Sequence, residues 1–367
     1  MMRLHRHDSG SSLADTRAHD VGRRWSGQIE AGIAAYRRYF TQAGLPADRV
    51  DRIADASLEA LMEWCPALGA ELSAIAAGAG RPVRDIAVLN ARTEILARAP
   101  RLEEGECSTV VRVPTAAAPD LWTLAFQTWD WHPDLATEGL LWTYEPAPGR
   151  SVKTFTEFGM LAKIGVNSAG IAVLFNILYH RSDTAAGGVP VHAIARRILD
   201  EATTVTEAVD IARSASAGAS SAITVLAIGG GQPEAVSLEI SPDGVGLLRP
   251  EPDGWLVRTN HFLSAELAAG DRRPAVTTTV ARLDHLRGIV SGDAVADAAG
   301  DGLPALARAL CGSAGARAPI CVTGDVVSST GRPSHTLLTV RLDPASGRFE
   351  CWPGTPYEAA SATPERL

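Results

Sequence analysis

The feature that most constrains this chain is a change of period near residue 107. Before it, apolar residues recur at helical spacing. After it they fall into short β-rich runs separated by turn residues. Ile29, Ile33, Tyr36, Tyr39 and Phe40 predict a helix from Arg23 to Phe40, stopped by Gly44-Leu45-Pro46. Val50 to Ala77 predicts one or two more, interrupted near Pro66. Another opens at Pro82, runs through Ile86, Leu89, Ile95 and Leu96, and closes at Pro100. A chain that changes character this abruptly is expected to segregate its helices from its strands.

Beyond the boundary, Cys107–Val113, Leu121–Phe126, Gly139–Tyr144, Ser151–Phe158, Ile164–Asn167 and Gly170–Leu178 read as strands. Pro190 to Ser216 returns to helix, as two antiparallel pieces. Ala222–Ile228, Ala235–Ile240, Gly244–Leu248 and Trp255–Thr259 follow, separated by Gly-Gly-Gly, Pro-Asp-Gly and Pro-Glu-Pro-Asp-Gly. Those linkers are turn chemistry and predict an antiparallel meander of four strands. Pro274–Val290 and Leu303–Leu310 are helical candidates. Strands at Ile320–Val322, Thr336–Leu342 and Arg348–Trp352 end the chain. The expectation is an α+β fold, with two packed antiparallel sheets covered by helices. Residues 22–367 are expected to form one structural domain, and residues 1–21, polar with a Gly-Ser cluster, a mobile tail.

Composition limits the function classes. Apolar residues make up 46% and charged residues 21%, and the formal charge is −8 with both signs interspersed. No basic stripe carries interleaved aromatics, so a nucleic-acid partner is not expected. No apolar run reaches the roughly 18 residues of a membrane span, and the N-terminus lacks the apolar core of a secretory signal. Five cysteines with no C-x-x-C fit neither a disulfide framework nor a zinc site. These features point to a reducing, cytoplasmic setting. The nine histidines show no metal spacing. Gly229-Gly230-Gly231 lacks the Lys-Ser/Thr of a phosphate loop and reads as a hairpin turn.

The chemistry sits at the boundary itself. Glu103-Glu104-Gly105-Glu106 forms a polar loop that leads into a strand opening on Cys107-Ser108-Thr109. A free cysteine is usually a small buried hydrophobe, so Cys107 alone proves little. It is followed in order by Gln127-Thr128-Trp129-Asp130-Trp131, Gly165-Val166-Asn167-Ser168-Ala169-Gly170 and Thr259-Asn260-His261-Phe262, and preceded by Leu89-Asn90-Ala91-Arg92-Thr93-Glu94. In this order, over roughly residues 20 to 357, the segments resemble the carcinine hydrolase / isopenicillin-N N-acyltransferase family of acyl-coenzyme A:6-aminopenicillanic acid acyltransferase-like Ntn hydrolases.

The resemblance implies the Ntn-hydrolase αββα sandwich and a proenzyme that cuts itself immediately before its nucleophilic cysteine. The matching bond here is Glu106–Cys107. It would give a helical chain, with residues 22–106 as the propeptide segment, and a nucleophile chain of residues 107–367. The family often has glycine before the cysteine and threonine after it, where this chain has Glu106 and Ser108. The resemblance also implies catalytic roles for Asp130, linked to processing and the nucleophile's amine, and for Asn260, a candidate oxyanion donor. It places a substrate-pocket arginine near Arg332. Thr109 is a candidate contact of Cys107.

Elementary chemistry supports the Cys107 assignment independently. A thiol with a pKa near about 8.5 is only partly ionised at neutral pH. An α-amine titrating near about 7.7–8.0 on the same residue can take its proton. Asp130 lies between two tryptophans and needs a partner if buried. Asn167 is expected to shape its turn, and Arg92 to anchor the helical segment to the β-rich part.

The expected activity is hydrolysis of the amide of a small N-acyl amine or acylated amino-acid conjugate through a thioester. The alternative is transfer of the acyl group to an amine acceptor. A third reading is a non-enzymatic binding protein on the same fold. No cofactor or metal is implied; a coenzyme A thioester enters only as a substrate of the transfer reaction. Expected partners are the small-molecule substrate and the protein's own cleaved N-terminal chain, with homo-oligomerisation open.

Overall fold

A computed structural model describes residues 1–367 except 11–12, 101–104, 116–122, 184–186, 230, 275 and 328–329. The helical first part comprises α1 (Ala14–Arg24), α2 (Ser26–Gln42), α3 (Ala47–Trp64), α4 (Pro66–Ala79), α5 (Val83–Asn90) and α6 (Arg92–Leu96). Pro66 opens α4 at its first turn, where a missing N–H costs nothing. Gly22 and Gly78 let the backbones of α1 and α4 touch: a Cβ at either position would strike a carbonyl of the other helix.

The described strands follow the sequence expectation except at Arg3–Asp8 and Glu365–Arg366, which it did not include, and at Thr323–Val327, which lies just beyond the expected Ile320–Val322. They are β1 (Arg3–Asp8), β2 (Glu106–Arg112), β3 (Leu124–Trp131), β4 (Glu138–Ala147), β5 (Arg150–Thr156), β6 (Ile164–Asn167), β7 (Ile171–Ile177), β8 (Ser221–Ala227), β9 (Glu234–Ser241), β10 (Gly244–Leu248), β11 (Trp255–Arg258), β12 (Thr323–Val327), β13 (Pro333–Asp343), β14 (Arg348–Trp352) and β15 (Glu365–Arg366). The later helices are α7 (Val191–Glu201), α8 (Val205–Ser214), α9 (Thr279–Val290), α10 (Asp293–Asp297), α11 (Leu303–Cys311) and α12 (Pro356–Ala359).

One sheet runs β1-β4-β5-β6-β7-β8-β9-β10, antiparallel except where β1 meets β4. The other runs β11-β2-β3-β13-β14-β15, with β12 on β13. Helices α7 and α8 pack on the first sheet, whose β7 faces β2 and β3 of the second. Helices α9 and α11 cover the far side of the second sheet. The layer order is therefore αββα, as the sequence led us to expect. Helices α1–α6 pack on one another and reach α7 through α5.

Strand β3 shows how the sandwich is encoded. Its side chains alternate with period two. Ala125, Trp129 and Trp131 enter the core between the sheets, and Leu124 and Phe126 enter the smaller core under α11. No helix is long and apolar enough to cross a membrane, among the described residues.

Two expectations are corrected. The first eight residues are not a mobile tail: Arg3–Asp8 pairs along β4, and His5 and His7 meet Trp25 edge-on, with His5 also edge-on to Phe158. Polar composition hid an edge strand whose histidines have aromatic partners 18–20 or more residues away. The four-strand meander also fails at its last member. Strands β8, β9 and β10 are consecutive antiparallel neighbours, but β11 crosses to the other sheet and pairs with β2. The strand expected over Leu121–Phe126 begins at Leu124, its first residues lying outside those described, and extends to Trp131. The helix expected from Pro274 starts at Thr279, which leaves Thr277 and Thr278 free to bond elsewhere.

Candidate active site

Alternation along β2 divides its side chains between the two faces of its sheet. Cys107 and Val111 belong to the inter-sheet core, whereas Val110 belongs to the core under α11. The Thr109 hydroxyl accordingly donates to Asn176 Oδ1 of β7 at 2.8 Å, across the sandwich. The Ser108 hydroxyl and the Glu106 carboxylate are instead engaged by α9 and the residues just before it.

Register brings Asn260 to Cys107. Arg258 of β11 pairs with Thr109, so two residues further on Asn260 stands opposite Cys107. Its Oδ1 accepts the Cys107 N–H at 2.7 Å and a guanidinium N–H of Arg282 at 3.0 Å. Its Nδ2 donates to the Ile177 carbonyl at 2.9 Å. Two donors on one side and one acceptor on the other fix the amide orientation. The expected oxyanion donor is thus committed to a backbone carbonyl here, and Asn260 grips the nitrogen of the Glu106–Cys107 bond instead.

The loop carrying Asn260 is held by α9 and by β9 of the first sheet. The Thr279 hydroxyl accepts the Asn260 N–H at 2.8 Å. Glu239 of β9 pairs with buried Arg258 and accepts the N–H groups of Leu263 and Ser264 at 2.7 and 2.9 Å. Such a doubly tied loop holds Asn260 without relying on its own side-chain packing.

Arg282, wholly buried on α9, joins the parts. It donates to the Cys107 carbonyl at 2.7 Å, to Ser108 Oγ at 3.1 Å and to Thr278 Oγ1 at 2.9 Å, and lies 3.4 Å from Glu106 Oε1. Asn176 Nδ2 also donates to the Cys107 carbonyl, at 3.0 Å. The planar guanidinium fork can serve several acceptors at once, as an ammonium cannot.

Cys107 itself is 2% exposed. Burial, with the charge of Asp130 added, pushes its thiol up to about 12. The backbone N–H of Asp130 and the charges of Arg282 and Lys163 act the other way. Asp130 is fully buried, and neither carboxylate oxygen has a hydrogen-bond partner among the described residues. Burial raises its pKa to about 8, against the pull of Arg282 and its cross-strand neighbour Thr336.

On the other side of Cys107 lies a buried charged group. Lys163 sits 3.9 Å from the ring centre of Trp129, which pairs across the ladder with Cys107. It contacts Glu157, which Arg92 also reaches at 2.6 Å and Tyr36 at 2.5 Å. Burial opposes ionisation of Glu157, but Arg92 and Lys163 outweigh it and bring the carboxyl down to about 2. Burial and Arg92 lower Lys163 to about 7. Arg92 thereby anchors the helical part to the end of β5. A cleft of about 400 Å³ lined by Gly32, Leu89, Phe158 and Met160 opens onto Tyr36 and Glu157; Cys107 does not line it.

The remaining candidates fall elsewhere. Arg332 bonds Gln42 at 2.5 Å, pairs with Asp134 and lies over Tyr39, none of which touches Cys107 or Asn260. Asn167 shapes its turn, accepting from Ala169 and Ile171 and donating to Leu199 and Ala202. Glu103 and Glu104 lie outside the described residues. Sequence reading missed Arg282, Asn176 and Lys163. The only hint of the first was Thr278 and Arg282 four apart, on one helical face.

Comparison with known proteins shows what part of this chain is similar to. The model of the family described as acyl-coenzyme A:6-aminopenicillanic acid acyl-transferase matches residues 119–297, which include Asp130, Asn176, Asn260 and Arg282. The resemblance noted in the sequence is thus borne out over that stretch. The chain is 35% identical over 195 residues to the acyl-coenzyme A:6-aminopenicillanic-acid-acyltransferase 40 kDa form of Emericella nidulans, covering 53% of this chain and 51% of that protein. It spans about half the length of this curated relative. Among solved structures, an N-acylethanolamine-hydrolyzing acid amidase ortholog of Caenorhabditis elegans is similar at TM-score 0.40 and 14% identity, over 65% of this chain and 93% of that one. Penicillin V acylase of Agrobacterium tumefaciens is similar at TM-score 0.41 and 13% identity, over 71% and 84%.

Proposed function

We propose that this chain is a self-processing amidohydrolase whose nucleophile is Cys107, acting on the amide of a small N-acyl amine or acylated amino-acid conjugate. The observation that carries the reading is the grip of Asn260 Oδ1 on the Cys107 nitrogen at 2.7 Å. A hydrogen bond to that atom orients the scissile amide before cleavage and would hold the free α-amine after it.

In maturation the Cys107 thiol adds to the Glu106 carbonyl and the C–N bond breaks. The nitrogen takes the proton, leaving a thioester and a free Cys107 amine. Water then releases the Glu106 carboxylate and regenerates the thiol. Turnover repeats these steps on a substrate amide. The α-amine accepts the thiol proton and passes it to the departing amine, then activates water. Buried Asp130 is the candidate counter-charge for the ammonium that forms. Asn260 Nδ2 can serve the oxyanion only after its bond to Ile177 is released.

Intact-mass analysis of the purified protein tests the maturation step. Chains of residues 1–106 and 107–367 with a free Cys107 amine are expected, and a single chain is expected for Cys107→Ala. An uncut chain that hydrolyses amides refutes the proposal. Acyl transfer is the second reading, favoured by the printed name of the fungal relative. Product analysis with a competing amine separates the two, since both share the acyl-enzyme and differ in what accepts it.

A further inference from the structure

The residue before the scissile bond is not a passive leader. The Glu106 side chain is buried, and its carboxylate is held by four groups. Its Oε1 accepts the Thr278 N–H at 2.7 Å and the Thr277 hydroxyl at 3.3 Å, and its Oε2 accepts the Thr278 hydroxyl at 2.5 Å. Arg282 stands 3.4 Å from Oε1. Thr278 caps α9, a helix of 12 residues, so the carboxylate also meets the positive end of that helix. Every one of these donors lies in residues 107–367, the part that keeps the nucleophile.

From these contacts we infer that the pocket of Thr277, Thr278 and Arg282 is the acyl-side subsite, and that it selects acyl groups shaped like the Glu106 side: a five-carbon dicarboxylic acyl group, glutaryl or an α-substituted glutaryl. The inference rests on the hydrolase reading above and names its substrate class. The link is the thioester. In maturation the group carried on Cys107 Sγ is the Glu106 acyl group, with its free carboxylate four carbons from the thioester carbonyl. A substrate acyl group occupies the same place on sulfur. Cleavage makes Cys107 the first residue of the nucleophile chain, so departure of Glu106 vacates the volume beyond the strand end and leaves Arg282 without that carboxylate. Arg282 also bonds the Cys107 carbonyl and Asn260 Oδ1, so a single rigid group sets the distance between nucleophile and carboxylate. A neutral acyl chain would leave the Thr278 N–H unpaired and the guanidinium without a counter-charge in a buried site, which disfavours it.

The test uses the purified protein after mass analysis, with the anilides of glutaric and pentanoic acid. These acyl groups have the same number of carbons and differ in the terminal carboxylate. The glutaryl anilide is expected to show kcat/KM at least about tenfold above the pentanoyl anilide. Thr278→Val should reduce that ratio, and Thr277→Val is the substitute if Thr278→Val fails to process. Equal turnover of both, or preference for pentanoyl, overturns the subsite while leaving the hydrolase reading intact. If neither anilide is cleaved, alkylation of Cys107 decides. Protection by glutarate but not pentanoate sustains the subsite and counts against the hydrolase reading. Equal protection overturns the subsite. A chain that is never cut overturns both, because Glu106 then fills the pocket permanently.

Discussion

Asn260 accepts the N–H of Cys107 at 2.7 Å across 153 residues of chain. Removing that contact leaves the Cys107 N–H and one Arg282 N–H without an acceptor in a buried site. Losses of about 1–3 kcal/mol accompany such orphaned donors. Asn260→Ala is therefore expected to slow appearance of the two chains by roughly 10- to 100-fold, followed by gel and mass analysis after synthesis. Asn260→Asp, which keeps an acceptor, should retain more of the rate; equal rates for both variants would contradict the proposed contact.

Arg282 is expected to matter to stability as well as to processing. Arg282→Met leaves the buried Glu106 carboxylate without its cation, and breaking a buried pair this way costs about 3–5 kcal/mol. Urea unfolding in a Cys107→Ala background measures the loss on an uncut chain. Adding Glu106→Gln should recover part of it, because the uncompensated charge is gone. No recovery would mean that the other contacts of Arg282 carry the effect.

The Asp130 carboxyl, raised to about 8, makes the uncut chain pH-sensitive. Its folded form keeps a proton that the unfolded chain gives up near the ordinary carboxylate pKa. Folding therefore binds a proton from about pH 4 to 8, and stability falls as pH rises through that window, by up to about 1.4 kcal/mol per unit. Comparing urea unfolding of Cys107→Ala with Cys107→Ala/Asp130→Asn from about pH 5 to about pH 9.5 isolates this group. The difference in slope should vanish above the raised value; parallel profiles would show that Asp130 is ionised in the fold.

Cys107 should be inert before cleavage and reactive after it. With its thiol pushed up to about 12, the thiolate fraction at pH 8 is on the order of one in ten thousand. Iodoacetamide at pH 8 is expected to label Cys107 in the processed protein and to spare it in uncut Asn260→Ala, read by peptide mapping. Equal labelling would show that burial does not protect the sulfur.

A fifth expectation concerns Gly105. A Cβ there would lie 2.8 Å from Trp131 Cζ3 and 2.9 Å from Ile177 Cδ1, and Ile177 also holds Asn260 through its carbonyl. Gly105→Val should cost about 1–3 kcal/mol by overpacking and slow processing, measured by unfolding in the Cys107→Ala background and by chain appearance in the wild-type background. Normal behaviour on both counts would mean the loop shifts without disturbing Asn260.

The sequence by itself determined much about this protein, because local patterns carried the information. Period-two runs marked Ile164–Asn167, Gly244–Leu248 and Arg348–Trp352 with the boundaries the structure shows, and Pro66 split two helices where its missing N–H is harmless. The order of Cys107, Asp130 and Asn260 was likewise written in the chain. What only the tertiary structure decided is how these residues meet. The crossing of Trp255–Arg258 from the expected meander to the other sheet is a choice of partner strand, and turn residues do not encode which edge a strand will join. That choice sets Asn260 opposite Cys107. Arg282 and Asn176 joined the site because β2 alternates, sending Ser108 and Glu106 to α9 and Thr109 to β7. Long-range packing supplied those partners, and it also buried Asp130 opposite Thr336 of β13, a strand more than 200 residues further along the chain.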